Sequence, residues 1–382
     1  MTTRLFRPLN LLLPTVLVLA ACGQVPAAVA PTAAPAAVAP TAASSESAPV
    51  EQQASLAPEL TSANAPAQVR LAYFPNLTHA AALVGTAEGT FQQAFGSSVA
   101  LETITFNAGP ALIEALFAGE VDLGYIGPNP AINGYVQSKG DALRIIAGAS
   151  SGGASFVVRP ESNIASAKDL EGKKLATPQL GGTQDVALRF YLQQNGLSTA
   201  DKGGTVEIVP TQNPDILTLF QQGLIDGAWV PEPWATRLVQ EGGGKVFIDE
   251  RTIWPEGQFV TTNIIVRREF LEQYPDVVTR FLEAHVATVQ YIAENDEATK
   301  SIVNAEIERI TGSALPREVL DSAYPQLEVT YDPLANTLFK SADDAFALGF
   351  LGTDKPDLSG LYALDPLNAV LNAKGLAPVA PS

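Results

Sequence analysis

From Val69 onward the chain alternates short apolar runs with stretches of helical period. Val69-Arg70-Leu71-Ala72-Tyr73-Phe74 predicts a first strand, Thr78 to Ala87 a helix with Thr78 as a possible cap, and Val99 to Phe106 a second strand. Strand, helix, strand in that order implies an α/β fold, a mostly parallel sheet with helices on its faces. One unit then occurs twice. Pro110 opens a helical run, Gly119 ends it, Asp122 follows, and a short apolar strand leads to Pro128-Asn129-Pro130. Pro214, Gly223, Asp226 and Pro231-Glu232-Pro233 repeat this order, slipping by one residue only at the end. Proline suits a first helical turn, because the N–H it lacks has no partner there. Glycine suits a helix end. The matched spacing points to two equivalent α/β lobes. Ligands of open α/β sheets bind beyond the carboxyl ends of the strands, so two such edges face to face make a cleft.

Ser155 to Arg159 and Phe259 to Val266 are the candidate crossings between lobes. One lobe is then 68–154 plus 259–382 and the other 155–258, joined by a two-segment hinge. Beyond Arg268 the period is helical, and Phe281, His285, Val289 and Ile292 lie close to one face, a packing stripe.

The beginning of the chain has a different pattern. Arg4 and Arg7 precede an apolar run from Leu11 to Leu19, which ends in Leu19-Ala20-Ala21-Cys22. A basic start, a short apolar stretch and small residues describe a secretory signal over 1–21. The run is shorter than the ~20 residues that span a bilayer. Cys22 is the only cysteine, so no internal disulfide forms. Leu-Ala-Ala-Cys resembles the lipobox of bacterial lipoproteins, which implies a lipid on Cys22 and a membrane anchor outside the cytoplasm. Residues 22–67 are rich in Ala, Pro and Ser and lack periodicity. They read as a disordered tether of roughly 35–40 Å r.m.s. span.

The formal net charge of -17 argues against a nucleic acid or an anionic membrane surface as partner. It says little about a small ligand, because a pocket can oppose the surface around it. No His, Cys and carboxylate residues stand at metal-ligand spacing, so neither a metal nor a cofactor is expected.

Several helix starts should open onto the cleft: Pro75 to His79, Gly127-Pro128-Asn129, Gly181 to Gln184, and Pro231-Glu232. A helix start offers unpaired N–H groups and partial positive charge, so several together hold a small anion without lysine or arginine. The candidate ligand-binding residues are Asn76, Thr78, His79, Asn129, Ser151, Gly182, Thr183, Gln184 and Glu232. Glu232 has two readings. It caps the helix it begins, or it meets an amine on a zwitterionic solute. Trp229 and Trp234 flank it as packing or stacking residues.

Three motifs in order carry a resemblance. Asp169-Leu170-Glu171-Gly172-Lys173-Lys174-Leu175-Ala176, then Gly181-Gly182-Thr183-Gln184-Asp185, then Trp229-Val230-Pro231-Glu232-Pro233-Trp234 resemble the nitrate/sulfonate/taurine group of ABC-transporter substrate-binding proteins. The resemblance implies a type II periplasmic-binding-protein-like fold and hinge closure on a small anion or zwitterion. It also implies a monomer that delivers its ligand to an ABC permease with a cytoplasmic ATPase. It implies a carrier rather than an enzyme. Two alternatives stand beside it: an enzyme on the same fold, thiamine-pyrimidine synthase-like or a dehydratase, and a ligand-sensing ectodomain. The thiamine-pyrimidine synthase enzymes carry a cysteine cluster that this chain lacks.

Overall fold

The computed structural model describes residues 55–61 and 63–380. The expected signal segment, Cys22 and the tether before residue 55 lie outside the described residues.

The chain first runs β1 (Gln68–Tyr73), α1 (Ala80–Ala87), α2 (Thr90–Phe95), β2 (Ala100–Thr105), α3 (Gly109–Phe117), β3 (Leu123–Ile126), α4 (Pro128–Gln137) and β4 (Leu143–Gly152). It continues as β5 (Ala154–Val158), β6 (Lys174–Thr177), α5 (Thr183–Gln194), β7 (Glu207–Pro210), α6 (Asn213–Gln221), β8 (Gly227–Pro231), α7 (Trp234–Gln240) and β9 (Lys245–Asp249). It ends as β10 (Val260–Arg267), α8 (Arg268–Gln273), α9 (Pro275–Glu294), α10 (Asp296–Thr311), α11 (Arg317–Ala323), β11 (Leu327–Val329), α12 (Ala335–Ala347) and α13 (Asp365–Ala373). Two sheets result, ordered β11-β4-β10-β3-β1-β2 and β7-β6-β8-β5-β9. The larger is covered by apolar clusters around Phe281 and Leu112, the smaller by clusters around Trp229 and Phe220.

Each sheet is mixed, where the sequence pattern suggests mainly parallel strands. Strand β1 is parallel to β2 and β3, and β6 to β7 and β8. Strand β10 is antiparallel to β3 and β4, and β5 to β8 and β9. The crossings explain this. A strand that enters a lobe from the other lobe starts at the cleft edge, where its parallel neighbours end. The forward crossing turns at Gly152 and Gly153, whose φ angles of 72° and 70° lie in the left-handed region that glycine tolerates.

The repeated unit has a physical basis. In the first copy, the Asp122 N–H donates to the Arg70 carbonyl (3.0 Å), and the Asp122 carboxylate accepts from the Arg70 N–H (3.0 Å). In the second, the Asp226 N–H donates to the Lys174 carbonyl (2.7 Å), and its carboxylate accepts from the Lys174 N–H (2.9 Å). Each aspartate thus clips the first turn of a parallel pairing and sets its register. Asp122 also holds the guanidinium groups of Arg70 (2.6 Å) and Arg267 (2.9 Å).

The segment from residue 55, which composition places in the tether, is docked on the larger lobe. Arg280 donates to the carbonyls of Ala57 and Pro58, and Glu283 accepts from Ser55 and the Leu56 N–H. Leu60 and Ala65 are buried in the core beside α9. Two apolar side chains and an arginine that binds several carbonyls at once order a string that otherwise reads as linker.

Candidate ligand-binding cleft

Five helix starts converge on one cleft between the lobes. Asn76, Thr78 and His79 reach it from the turn before α1, Ala108 and Gly109 from α3, and Gly127 and Pro130 from α4. The smaller lobe adds Gly182, Thr183 and Gln184 from α5 and Asn213 from α6. Phe74, Asn107, Pro178, Gln179, Pro231, Thr261 and Thr262 complete the wall, and the cavity volume is about 40 Å³. None of these five helices has a side-chain hydrogen bond at its N-cap. No side chain therefore competes with a ligand for the N–H groups of these first turns, and their dipoles favour a negative one, although Pro110, Pro128, Pro130 and Pro214 bring no N–H and the Ala80 N–H already goes to the Leu77 carbonyl.

The wall contains no lysine, arginine, aspartate or glutamate. His79 is its one titratable group. It is 3% exposed, and burial pushes its imidazole down to about 3, so it is neutral near pH 7. Its Nδ1 accepts from the Phe74 N–H (3.3 Å), which leaves the proton on Nε2 and makes the ring a donor there. An anion placed here meets neutral donors only. Two buried oxygens of the wall, Asn213 Oδ1 and Thr262 Oγ1, have no protein partner.

Of the residues that sequence places at the site, Asn76, Thr78, His79, Gly182, Thr183 and Gln184 come together in the cleft. Three do not. Asn129 donates to the Ser341 carbonyl (3.2 Å) and ties α4 to α12. Ser151 accepts from the Phe259 N–H (3.3 Å) within the β4–β10 region. Glu232 caps α7, accepting from the Thr236 N–H (3.0 Å) and hydroxyl (3.1 Å). Its side chain faces a separate cavity with Ser155, Thr236 and Asp249. Strand geometry accounts for this. Pro231 and Glu232 are neighbours at the end of β8, and successive side chains point to opposite faces. Pro231 takes the cleft and Glu232 the other side.

Sequence reasoning missed Asn107 to Gly109, Asn213, Thr261 and Thr262. The signal for Asn107 to Gly109 and for Asn213 was present: both precede the prolines that open the repeated unit. The threonines lie in a crossing strand whose apolar neighbours hide them.

The lobes touch around the cleft. Asn107 Nδ2 donates to Gln212 Oε1 (2.9 Å), Trp234 Nε1 to Asn76 Oδ1 (3.0 Å), and the Leu77 N–H to the Glu232 carbonyl (3.2 Å). At Gly127 an added Cβ would lie 2.3 Å from Thr183 Oγ1, so only glycine permits this approach. The Thr183 loop is itself fixed by Asp185, which accepts from the Gly181 N–H (3.0 Å), Thr177 (3.0 Å) and Arg189 (3.0 Å). Among the described residues, no group of three or more His, Cys, Asp or Glu is placed to hold a metal.

Comparison with known proteins agrees with this architecture. Residues 62–307 match the model of the NMT1-like family. The chain is 31% identical over 233 residues to the taurine-binding periplasmic protein of Escherichia coli (strain K12), covering 60% of this chain and 69% of that one. Its fold is similar to that of the alkanesulfonate-binding protein SsuA from Xanthomonas axonopodis pv. citri bound to MOPS, with a TM-score of 0.65 at 18% identity over 78% of this chain and 98% of the other. The periplasmic nitrate-binding protein NrtA from Synechocystis PCC 6803 gives a TM-score of 0.65 at 14% identity, over 80% and 89%.

Proposed function

Because the chain belongs to the NMT1-like family, we propose that it is the extracytoplasmic solute-binding component of an ABC importer. It captures a small organic anion or zwitterion of the sulfonate class and passes it to a membrane permease with a cytoplasmic ATPase. The observation that carries this reading is the convergence of five uncapped helix starts on a cleft without a charged side chain. Backbone N–H groups and dipoles bind such an anion without a counter-ion. The kinship with a taurine-binding periplasmic protein supports the sulfonate class, and the shared fold supports a cleft that closes on its ligand.

The reading includes a lipid anchor on Cys22, a monomeric carrier and the absence of catalysis. The kinship with a taurine-binding and an aliphatic sulfonates-binding protein supports the last point.

A thermal-shift screen of the purified protein tests the proposal. Taurine, other sulfonates and nitrate are compared with uncharged solutes and amines. A true ligand at a hundred times its dissociation constant adds about 2.7 kcal/mol of stability. Stabilisation by sulfonates is the expected result. No response to any anion, or a response only to amines, sinks it.

A further inference from the structure

The cleft has little room beyond that for an anionic head. Its volume of about 40 Å³ holds roughly three waters, at ~10–15 Å³ each. A compact group of a few atoms fills it. Against it lies a second, larger chamber of about 420 Å³. The two share Asn107 and Ala108 of the larger lobe and Pro178 and Gln179 of the smaller, so these residues stand between them. The outer chamber also has walls from both lobes. Phe106 and Ala111 come from the turn between β2 and α3, and Pro210 and Thr211 from the turn between β7 and α6. These are equivalent turns of the repeated unit, each leading into the helix that a proline opens. The only charged side chain of the chamber is Asp215, in the first turn of α6.

We propose that this outer chamber is a subsite for the solute's substituent: the inner cleft takes the anionic head, and the chamber takes an organic tail that carries no negative charge. The inference rests on the anion-binding reading above and deepens it. A tail that passes between Asn107-Ala108 and Pro178-Gln179 leaves water for apolar surface offered by both lobes. A second anionic group on that tail meets the field of Asp215. The chamber is complete only with the lobes this close, as the bond from Asn107 to Gln212 across it shows (2.9 Å). Tail binding therefore favours the closed form, in addition to what the helix starts do for the head.

Calorimetric titration with methanesulfonate, ethanesulfonate, butanesulfonate and 4-sulfobutanoate tests this. The last replaces the terminal methyl of butanesulfonate with a carboxylate. Full burial of a methylene strengthens binding about fourfold. In a chamber with an open side, butanesulfonate should bind the wild type about tenfold or more tighter than methanesulfonate, with ethanesulfonate between them. Ala111→Phe and Thr211→Phe fill the chamber from opposite lobes, and neither residue lines the inner cleft. Each should weaken butanesulfonate about tenfold and leave methanesulfonate within about twofold. The wild type should bind 4-sulfobutanoate about fivefold or more weaker than butanesulfonate, and Asp215→Asn should narrow that gap. Affinity that does not rise with chain length overturns the inference and leaves the binding function standing. So do phenylalanine variants that weaken long and short sulfonates alike or weaken neither, and a carboxylate penalty that is absent or is unchanged in Asp215→Asn. Failure of the wild type to bind any sulfonate overturns both.

Discussion

The carboxyl of Glu232 is almost wholly removed from water, and burial raises it to about 7. Hydrogen bonds from Thr236 and the field of Arg251 pull the other way, while Asp249 adds to the rise. A carboxyl whose folded-state pKa is raised contributes stability that is full below its unfolded value of 4.5 and is lost as pH climbs through about 7. The neutral histidines act in the opposite sense. Burial lowers His79 to about 3 and His285 to about 4, so their contribution is present above 6.5 and is lost as pH falls through those values. The informative quantity is therefore a difference. Urea unfolding of wild type and Glu232→Gln at pH 5 and pH 7.5 should show the variant losing less stability over that interval. Identical losses would mean that Glu232 does not titrate in the fold. His285 itself is a structural bridge: its Nε2 donates to the Gly148 carbonyl (3.0 Å), so its Nδ1 accepts from the Tyr125 hydroxyl (3.0 Å).

The two aspartate clips allow a comparison between equivalent elements. Asp226→Ala deprives one strand N–H of its side-chain partner, worth about 1–3 kcal/mol. Asp122→Ala does the same and also strands Arg70 and Arg267 beside the gap it leaves. Because these arginines keep about a quarter of their exposure, the expected loss is about 2–4 kcal/mol rather than the full cost of a broken buried pair. Burial alone would raise the Asp122 carboxyl, but the bonds from Arg70 and Arg267 outweigh it and hold it low. Denaturant unfolding should rank Asp122→Ala below Asp226→Ala; the reverse order contradicts the shared-clip account. Much of this level was legible in the chain. The proline, glycine and aspartate spacing is local, and it located both strand–helix units and the loops that line the cleft. What escaped depends on long-range pairing. Nothing near Asn129 indicates that its amide reaches Ser341, and nothing near Val260 indicates that β10 runs against β3 and β4. The side to which Glu232 turns depends on one step of strand alternation, and a motif does not encode that step.

At the level of the whole molecule, a strongly negative chain encloses a cleft without charged side chains. On the proposed function, an anion is attracted at short range, by oriented N–H groups, after it has entered. The proposed anchor has a direct check. Cys22→Ser should move the protein from the membrane fraction to the soluble fraction of expressing cells. Retention in the membrane after a salt wash would exclude a lipid on that sulfur. The docking of residues 55–61 has a mechanical consequence. Any pull from upstream enters the larger lobe through Arg280 and Glu283 on α9, and reaches the Gly152-Gly153 turn only after the core has taken the load. None of these contacts is made by the smaller lobe, so in the proposed anchored carrier tension on the tether would load the larger lobe and leave the smaller one free.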